Sequence, residues 1–257
     1  MRSIVVASGK GGVGKTTIAV NLAIALAQAG KKTVIFDADL PMADVGIFLG
    51  QESAPITLHD VLMGEVPLKD AIYEGPAGVM FVPSSLSLES YRAVDARKLA
   101  AAVGELEAFA EYVIVDSPPG LNKDVAAALA CAEESLIVLT PDPPSLTDAL
   151  KMKILAQKSK ANPIGIVVNM VRGEKGEVSR KDIEAVMDLQ VLAIIPEDPE
   201  VRRSALQQKP FMVRSPNCPA SQAIRALAAQ IMGEAGPAPE VPARRGFFAR
   251  LFGFLKR

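Results

Sequence analysis

Near the N-terminus a short apolar run, Ile4-Val5-Val6-Ala7, leads into Gly9-Lys10-Gly11-Gly12-Val13-Gly14-Lys15-Thr16, and a helical pattern starts at Lys15. A strand, a glycine turn and a helix in that order leave a chain few folds to choose from. Glycines let the backbone curl until successive N–H groups point at one place, and the start of the helix adds the positive end of its dipole. Such a cradle takes phosphate. The spacing Gly9-x4-Gly14-Lys15-Thr16 is that of a P-loop. Lys15 is therefore expected on the β- and γ-phosphates of a nucleotide and Thr16 on Mg2+. Gly11, Gly12, Val13, Gly14 and Thr17 are the remaining residues of the expected nucleotide cradle.

Downstream, short β-branched runs alternate with helical stretches. Strands are expected over 4–7, 33–37, 79–82, 112–116, 135–139, 164–169 and 191–195. Helices are expected over 15–29, 95–110, 123–130, 145–158, 179–187, 199–207 and 219–232. The strands are near-continuous apolar runs, as suits strands buried on both faces. Alternating β and α predicts an α/β fold, a mostly parallel doubly wound sheet with helices on both faces. The 257 residues, 49% hydrophobic and 22% charged, suffice for one large domain with short appendages. That domain is expected to span 1–233. Three prolines and a glycine within residues 234–243 mark a semi-extended linker, and 244–257 is a different kind of sequence.

Several of the strands end in polar residues at the carboxyl edge, where open α/β sheets bind ligands. Tyr112-Val113-Ile114-Val115-Asp116 is an apolar run ending in an acid, the form of a Walker B strand, so Asp116 is a candidate Mg2+ ligand through water. The second strand ends in Asp37-Ala38-Asp39. The run Ile166-Val167-Val168 ends in Asn169, whose amide can donate and accept at once. A GTP-binding chain would be expected to show Asn/Thr-Lys-x-Asp there. This one has Asn169-Met170-Val171-Arg172, which favours ATP.

The last 14 residues hold four of the nine phenylalanines, five basic residues and no acidic side chain, which leaves the first 243 near −6 in a chain of net charge −1. On a helix, Phe247, Phe248, Leu251, Phe252, Phe254 and Leu255 share one broad apolar face, with Arg244, Arg245, Arg250 and Lys256 as its basic residues. At ~1.5 Å per residue such a helix is about 21 Å long, too short to span a bilayer. The pattern is that of a helix lying in the membrane interface. Burying one Phe or Leu gains roughly 1.5–3 kcal/mol and a basic residue near anionic lipid about 1. Ordering the segment costs about 1–2 kcal/mol per residue, so one tail is marginal and two on a dimer gain avidity.

The string Lys10-Gly11-Gly12-Val13-Gly14-Lys15-Thr16-Thr17 resembles the deviant Walker A motif of the MinD/ParA ATPase superfamily. The resemblance implies that Lys10 reaches across an ATP-bound homodimer to the partner's nucleotide. It also implies that Asp39 orients the attacking water, with Asp44 continuing the pattern, and that Asp37 supports the magnesium shell. Gly120, in Ser117-Pro118-Pro119-Gly120, would sense the γ-phosphate. Asn169 would bond adenine, while the loop of Pro196, Glu197 and Asp198 packs on the base from the other side. Lys10, Lys15 and Asp39 are thus the candidate catalytic residues and Thr16, Asp37 and Asp116 the candidate metal residues.

With the basic aromatic tail, the motif set is similar to the septum-site-determining branch of that superfamily. This implies a slow, partner-stimulated ATPase that positions cell division. Its expected partners are anionic membrane lipids and a protein activator or division inhibitor. Its expected place is the cytoplasm, peripheral on the inner face of the cell membrane. Flagellum- or pilus-placement ATPases of the same superfamily share these motifs. A DNA-partitioning relative would want a basic surface, for which Lys151, Lys153, Lys158 and Lys160 are candidates, but the acidic body argues against bulk nucleic-acid binding. An iron–sulfur carrier would want a C-terminal cysteine pair. Cys131 and Cys218 stand far apart and read as buried apolar side chains in a reducing compartment. No secretory h-region or membrane span is expected. Ser117 has no evident base partner, and His59, the single histidine, reads as a surface residue without chemistry.

Overall fold

The computed structural model describes residues 1–51, 53–87 and 94–234. The linker from residue 235 and the amphipathic segment lie outside the described residues. With them go Arg244, Arg245, Phe247, Phe248, Arg250, Leu251, Phe252, Phe254, Leu255 and Lys256.

Eight strands form one sheet: β1 (Arg2–Ala7), β2 (Thr33–Asp37), β3 (Tyr73–Glu74), β4 (Met80–Val82), β5 (Tyr112–Asp116), β6 (Glu134–Leu139), β7 (Asn162–Val171) and β8 (Val191–Pro196). Their order is β3-β4-β2-β5-β1-β6-β7-β8. Every pairing is parallel except β3 with β4. The expected sheet is thus present, with the antiparallel edge strand β3 in addition. Two residues, Tyr73 and Glu74, are too few to show a period in sequence.

Alternation along β1 shows how the core divides. Ile4 and Val6 face one layer, made by α1 (Lys15–Gln28), α9 (Phe211–Arg214) and α10 (Pro219–Ile231). Val5 and Ala7 face the other, made by α4 (Leu99–Glu105), α5 (Lys123–Leu129) and α6 (Pro143–Lys158). The remaining helices are α2 (Val45–Phe48), α3 (Leu58–Met63), α7 (Arg180–Met187) and α8 (Pro199–Leu206). Both faces are therefore covered, which is why the parallel strands read as unbroken apolar runs.

From Ile18 to Leu26 α1 is buried on every side, as its nearly all-apolar sequence requires. Its one interior polar side chain is satisfied. Asn21 Nδ2 donates to the Thr17 carbonyl at 2.8 Å, and Asn21 Oδ1 accepts from the Met212 N–H at 3.0 Å. The base of the P-loop helix is thereby fixed to α9.

The helix expected over 95–110 is α only from Leu99 to Glu105. It is flanked by 3-10 turns at Ala96–Lys98 and Leu106–Ala108. Asp95 accepts from the Arg97 N–H at 3.0 Å and so closes a tight first turn, a common way to satisfy end groups. Among the described residues no helix is long and apolar enough to cross a membrane.

Candidate nucleotide site

β1 lies between β5 and β6, where the chain order reverses, and the P-loop leaves its carboxyl end. This is the crevice in which open α/β sheets hold ligands. Two glycines of the loop are required for different reasons. Gly14 has φ 90°, and a Cβ there would also lie 2.3 Å from Asn169 Nδ2. Gly9 has an ordinary backbone, but its Cβ would lie 2.3 Å from the Asp148 carbonyl oxygen of α6. At Gly11 the space is open, with only the Pro119 ring near at 3.8 Å.

The two lysines of the loop occupy opposite environments. Lys15 is buried, and its Nζ stands 3.2 Å from Asp116 Oδ1. Lys10 is exposed, and its carbonyl accepts from Ser8 Oγ at 3.0 Å.

Carboxylates crowd around Lys15. Asp116 is fully buried, and its Oδ2 has no hydrogen-bond partner. Asp37, also buried, accepts from the Asp39 N–H at 3.2 Å and from the Val45 N–H at 3.3 Å. Burial, then the neighbouring Asp116 and Asp39, hold the Asp37 carboxyl well above the usual range. Burial is also the main cause that pushes Asp39 up to about 6, with Lys15 opposing and Asp116 reinforcing it. Burial and then Asp116 raise Asp44 as well, against Lys15.

Asp39, Asp44 and Asp116 thus share one ammonium, and Asp37 adds a fourth carboxyl beside them. Such a set is incomplete without a further cation, and the orphaned Asp116 Oδ2 marks where its field is unmet. Among the described residues no three Asp, Glu, Cys or His side chains converge on a metal position. Mg2+ keeps several waters and takes one or two protein groups together with phosphate oxygens. Thr16, half-buried at the start of α1, and Asp116 are the residues fit to serve it.

The remaining expected phosphate-side residues adopt definite positions. Gly120, φ 96°, donates its N–H to the Ser8 carbonyl at 3.3 Å. Ser117 Oγ donates to the Val6 carbonyl at 2.9 Å, a structural bond between β5 and β1.

On the other flank β7 kinks. Its register with β8 shifts between Val168 and Val171, and Met170 takes the left-handed φ of 58°. The kink turns Asn169 inward, where Nδ2 donates to the Val13 carbonyl at 2.8 Å. One N–H of this amide is thus engaged by the P-loop, while its second N–H and Oδ1 can still donate to and accept from a base. Asp198 caps α8 through the Glu200 N–H at 2.9 Å, and its second oxygen accepts from the Ala220 N–H at 3.2 Å. It fixes the loop rather than offering a free carboxylate. Glu197 donates its N–H to the Val171 carbonyl at 2.9 Å, and its carboxylate pairs with Arg172, which lowers its pKa.

His59 corrects an expectation. It is fully buried rather than on the surface. Its helix α3 docks beneath the loops that follow β2 and β4, and its Nδ1 accepts from the Ser85 N–H at 2.9 Å. Burial lowers the imidazole pKa, with Asp60 and the Leu40 main chain opposing. Beside it Ser84, which no sequence pattern marks, donates from Oγ to the Asp37 carbonyl at 2.8 Å. Cys131 is buried, and burial pushes its thiol up to about 12; Cys218 is only half-buried. Of the candidate lysines, Lys151 pairs with Asp148 and Lys153 Nζ donates to the Met187 carbonyl at 2.6 Å, while Lys158 and Lys160 are exposed.

With this geometry in hand, comparison with known proteins is specific. Residues 4–211 match the model of the CobQ/CobB/MinD/ParA nucleotide-binding domain. The chain is 41% identical over 231 residues to an uncharacterized ATP-binding protein of Methanocaldococcus jannaschii, covering 90% of this chain and 88% of that one. It is 32% identical over 243 residues to the septum site-determining protein MinD of Thermotoga maritima, covering 91% and 89%. Among solved structures, the septum site-determining protein MinD of Pyrococcus horikoshii, complexed with Mg-ADP, superimposes with a TM-score of 0.86 at 34% identity, covering 90% of this chain and 95% of that one.

Proposed function

The chain belongs to the CobQ/CobB/MinD/ParA family of nucleotide-binding domains and is an ATPase of the MinD/ParA kind, and from that premise we propose that ATP makes it a homodimer that binds membrane reversibly and positions the division site. The observation that carries this reading is the contrast between the two lysines of one loop. Lys15 is buried against Asp116 and serves the nucleotide of its own chain. Lys10 is exposed at the rim, placed to serve a nucleotide held by a second copy. Met42 and Leu121, exposed on neighbouring loops of the same sheet edge, add apolar surface for that contact.

In the proposed cycle ATP enters the cradle and Lys15 turns from Asp116 towards the phosphates. Thr16 and, through water, Asp116 would hold Mg2+, and Asp37 would support its shell. Bound with the nucleotide, Mg2+ neutralises phosphate charge. Asp39, a carboxylate whose pKa of about 6 keeps it largely ionised at neutral pH, accepts a hydrogen from the attacking water and orients it. Lys10 of the second copy stabilises the developing charge in the manner of an arginine finger. The Gly120 N–H leaves the Ser8 carbonyl for the γ-phosphate and returns after hydrolysis. Asn169 Oδ1 accepts from the 6-amino group of adenine, which a 6-oxo purine lacks, while the loop of Pro196, Glu197 and Asp198 closes over the base.

In this reading residues 1–233 are the ATPase unit and 234–243 the linker. Residues 244–257 are the lipid-binding helix, whose effect becomes sufficient only when two are paired. A division inhibitor or activator would dock on the ATP-bound form. The test is sedimentation with anionic liposomes, with ATP or ADP, for the full chain and a chain ended at Gly233. The proposal expects ATP-dependent binding that the shorter chain lacks. Binding indifferent to nucleotide would remove the dimer step, and no binding would remove the membrane role.

A further inference from the structure

We propose that His59 is a positioning residue for hydrolysis, acting through Ser85 and Ser84 on the main chain at Asp37 and so setting where Asp37 and Asp39 stand. The inference rests on the reading of those two acids given above.

The physical connection is continuous. α3 grips the loop after β4 twice: the Leu58 N–H donates to the Pro83 carbonyl at 2.8 Å, and His59 Nδ1 accepts from the Ser85 N–H at 2.9 Å. Between those contacts Ser84 Oγ donates to the Asp37 carbonyl at 2.8 Å. The Asp37 side chain in turn accepts from the N–H groups of Asp39 and Val45. A chain of hydrogen bonds therefore runs from α3 to the end of β2, across three segments that are distant in sequence.

The chemistry of His59 fits the role. A backbone amide can only donate, so Nδ1 must be unprotonated and the ring proton must sit on Nε2. Nε2 is buried and makes no close hydrogen bond, while the Leu40 main chain, one residue beyond Asp39, lies beside the ring. A leucine could fill the same space. What it could not do is accept from the Ser85 N–H, which is the contact His59 supplies.

The test uses the full chain, with kcat at saturating Mg-ATP and fixed protein concentration, Kd for a fluorescent ADP, and Tm. His59→Leu removes the acceptor. It is expected to lower kcat about tenfold, as a small misplacement of reacting groups does, with Kd within about twofold. His59→Asn places its carbonyl oxygen at the same bond count from the main chain as Nδ1, and is expected to restore most of kcat. Ser84→Ala cuts the next contact and is expected to lower kcat similarly. The double variant Ser84→Ala with His59→Leu is expected to be little worse than either single one.

Additive losses, no rescue by asparagine, or a fall in kcat and ADP affinity together with Tm would overturn the inference in favour of a structural role. Asp39→Asn separates the two levels. If it loses activity while His59→Leu and Ser84→Ala keep it, the inference alone fails. If Asp39→Asn keeps wild-type kcat, the reading of the site fails and takes the inference with it.

Discussion

The P-loop has two flanks of opposite character. On the side of β2 and β5, Asp39, Asp44 and Asp116 share one lysine, Asp37 adds a further carboxyl beside Asp39 and Asp116, and Asp116 Oδ2 is left without a partner. On the side of β7 and β8, Asn169 is bonded to the loop, Asp198 caps two helices and Glu197 is paired with Arg172. The second flank is finished before a ligand arrives. The first is left short of positive charge, which is what a site needs if its ligand is to change the protein's state on arrival. In the proposed cycle the base side would supply recognition, and the phosphate side the switch.

The largest effect should come from Lys15→Ala. It removes the cation from the crowded flank, so ATPase activity should fall by at least about 100-fold. Apo stability should fall by about 3 kcal/mol in denaturant titration, as it does when a buried pair loses one partner. A variant that kept its stability would show that the flank is not electrostatically incomplete.

Next is pH, with metal chelated and nucleotide absent. The folded state holds the Asp39 proton more tightly than the unfolded chain does, since its pKa moves from 3.8 to about 6. Its contribution to stability is full below about 3.8 and is lost as pH rises through about 6. Tm should fall over that window, and Asp39→Asn should lessen the fall, with Asp37 and Asp44, also raised, accounting for what is left. Glu200, held down to about 2 by Ser215, Arg203 and Arg214, acts in the opposite sense, its contribution being lost as pH falls from about 4.5 to about 2.

The finished flank should respond less. Asn169→Ala removes the bond to Val13, so nucleotide affinity should drop about tenfold, one net hydrogen bond in a buried setting, with kcat at saturation nearly unchanged. A fall in kcat instead would erase the division of labour. Smallest of all, Arg172→Ala breaks an exposed ion pair and should leave the denaturation midpoint nearly unchanged, with affinity within about twofold.

Much of this architecture is legible in the residues because it is local. The P-loop is eight consecutive residues, and the apolar runs of β2 and β5 mark their strands from Thr33 to Asp37 and from Tyr112 to Asp116 as found. Acids at the ends of such strands are placed by the sheet itself. What sequence does not carry is contact through space. Leu58 and Leu62 are four apart and mark the buried side of α3, but nothing local says that His59 also turns inward to meet Ser85. Ser84 on the Asp37 carbonyl, and the kink that spends Asn169 Nδ2 on Val13, depend on how strands align, which no spacing records.

The central claim is that the phosphate flank is completed by Mg2+ through Asp116, and calorimetric titration of ATP with and without Mg2+ tests it, on the wild type and on Asp116→Asn. The account predicts that Mg2+ tightens ATP binding in the wild type and that most of this gain disappears in the variant. An equal Mg2+-dependent gain in both proteins would contradict it.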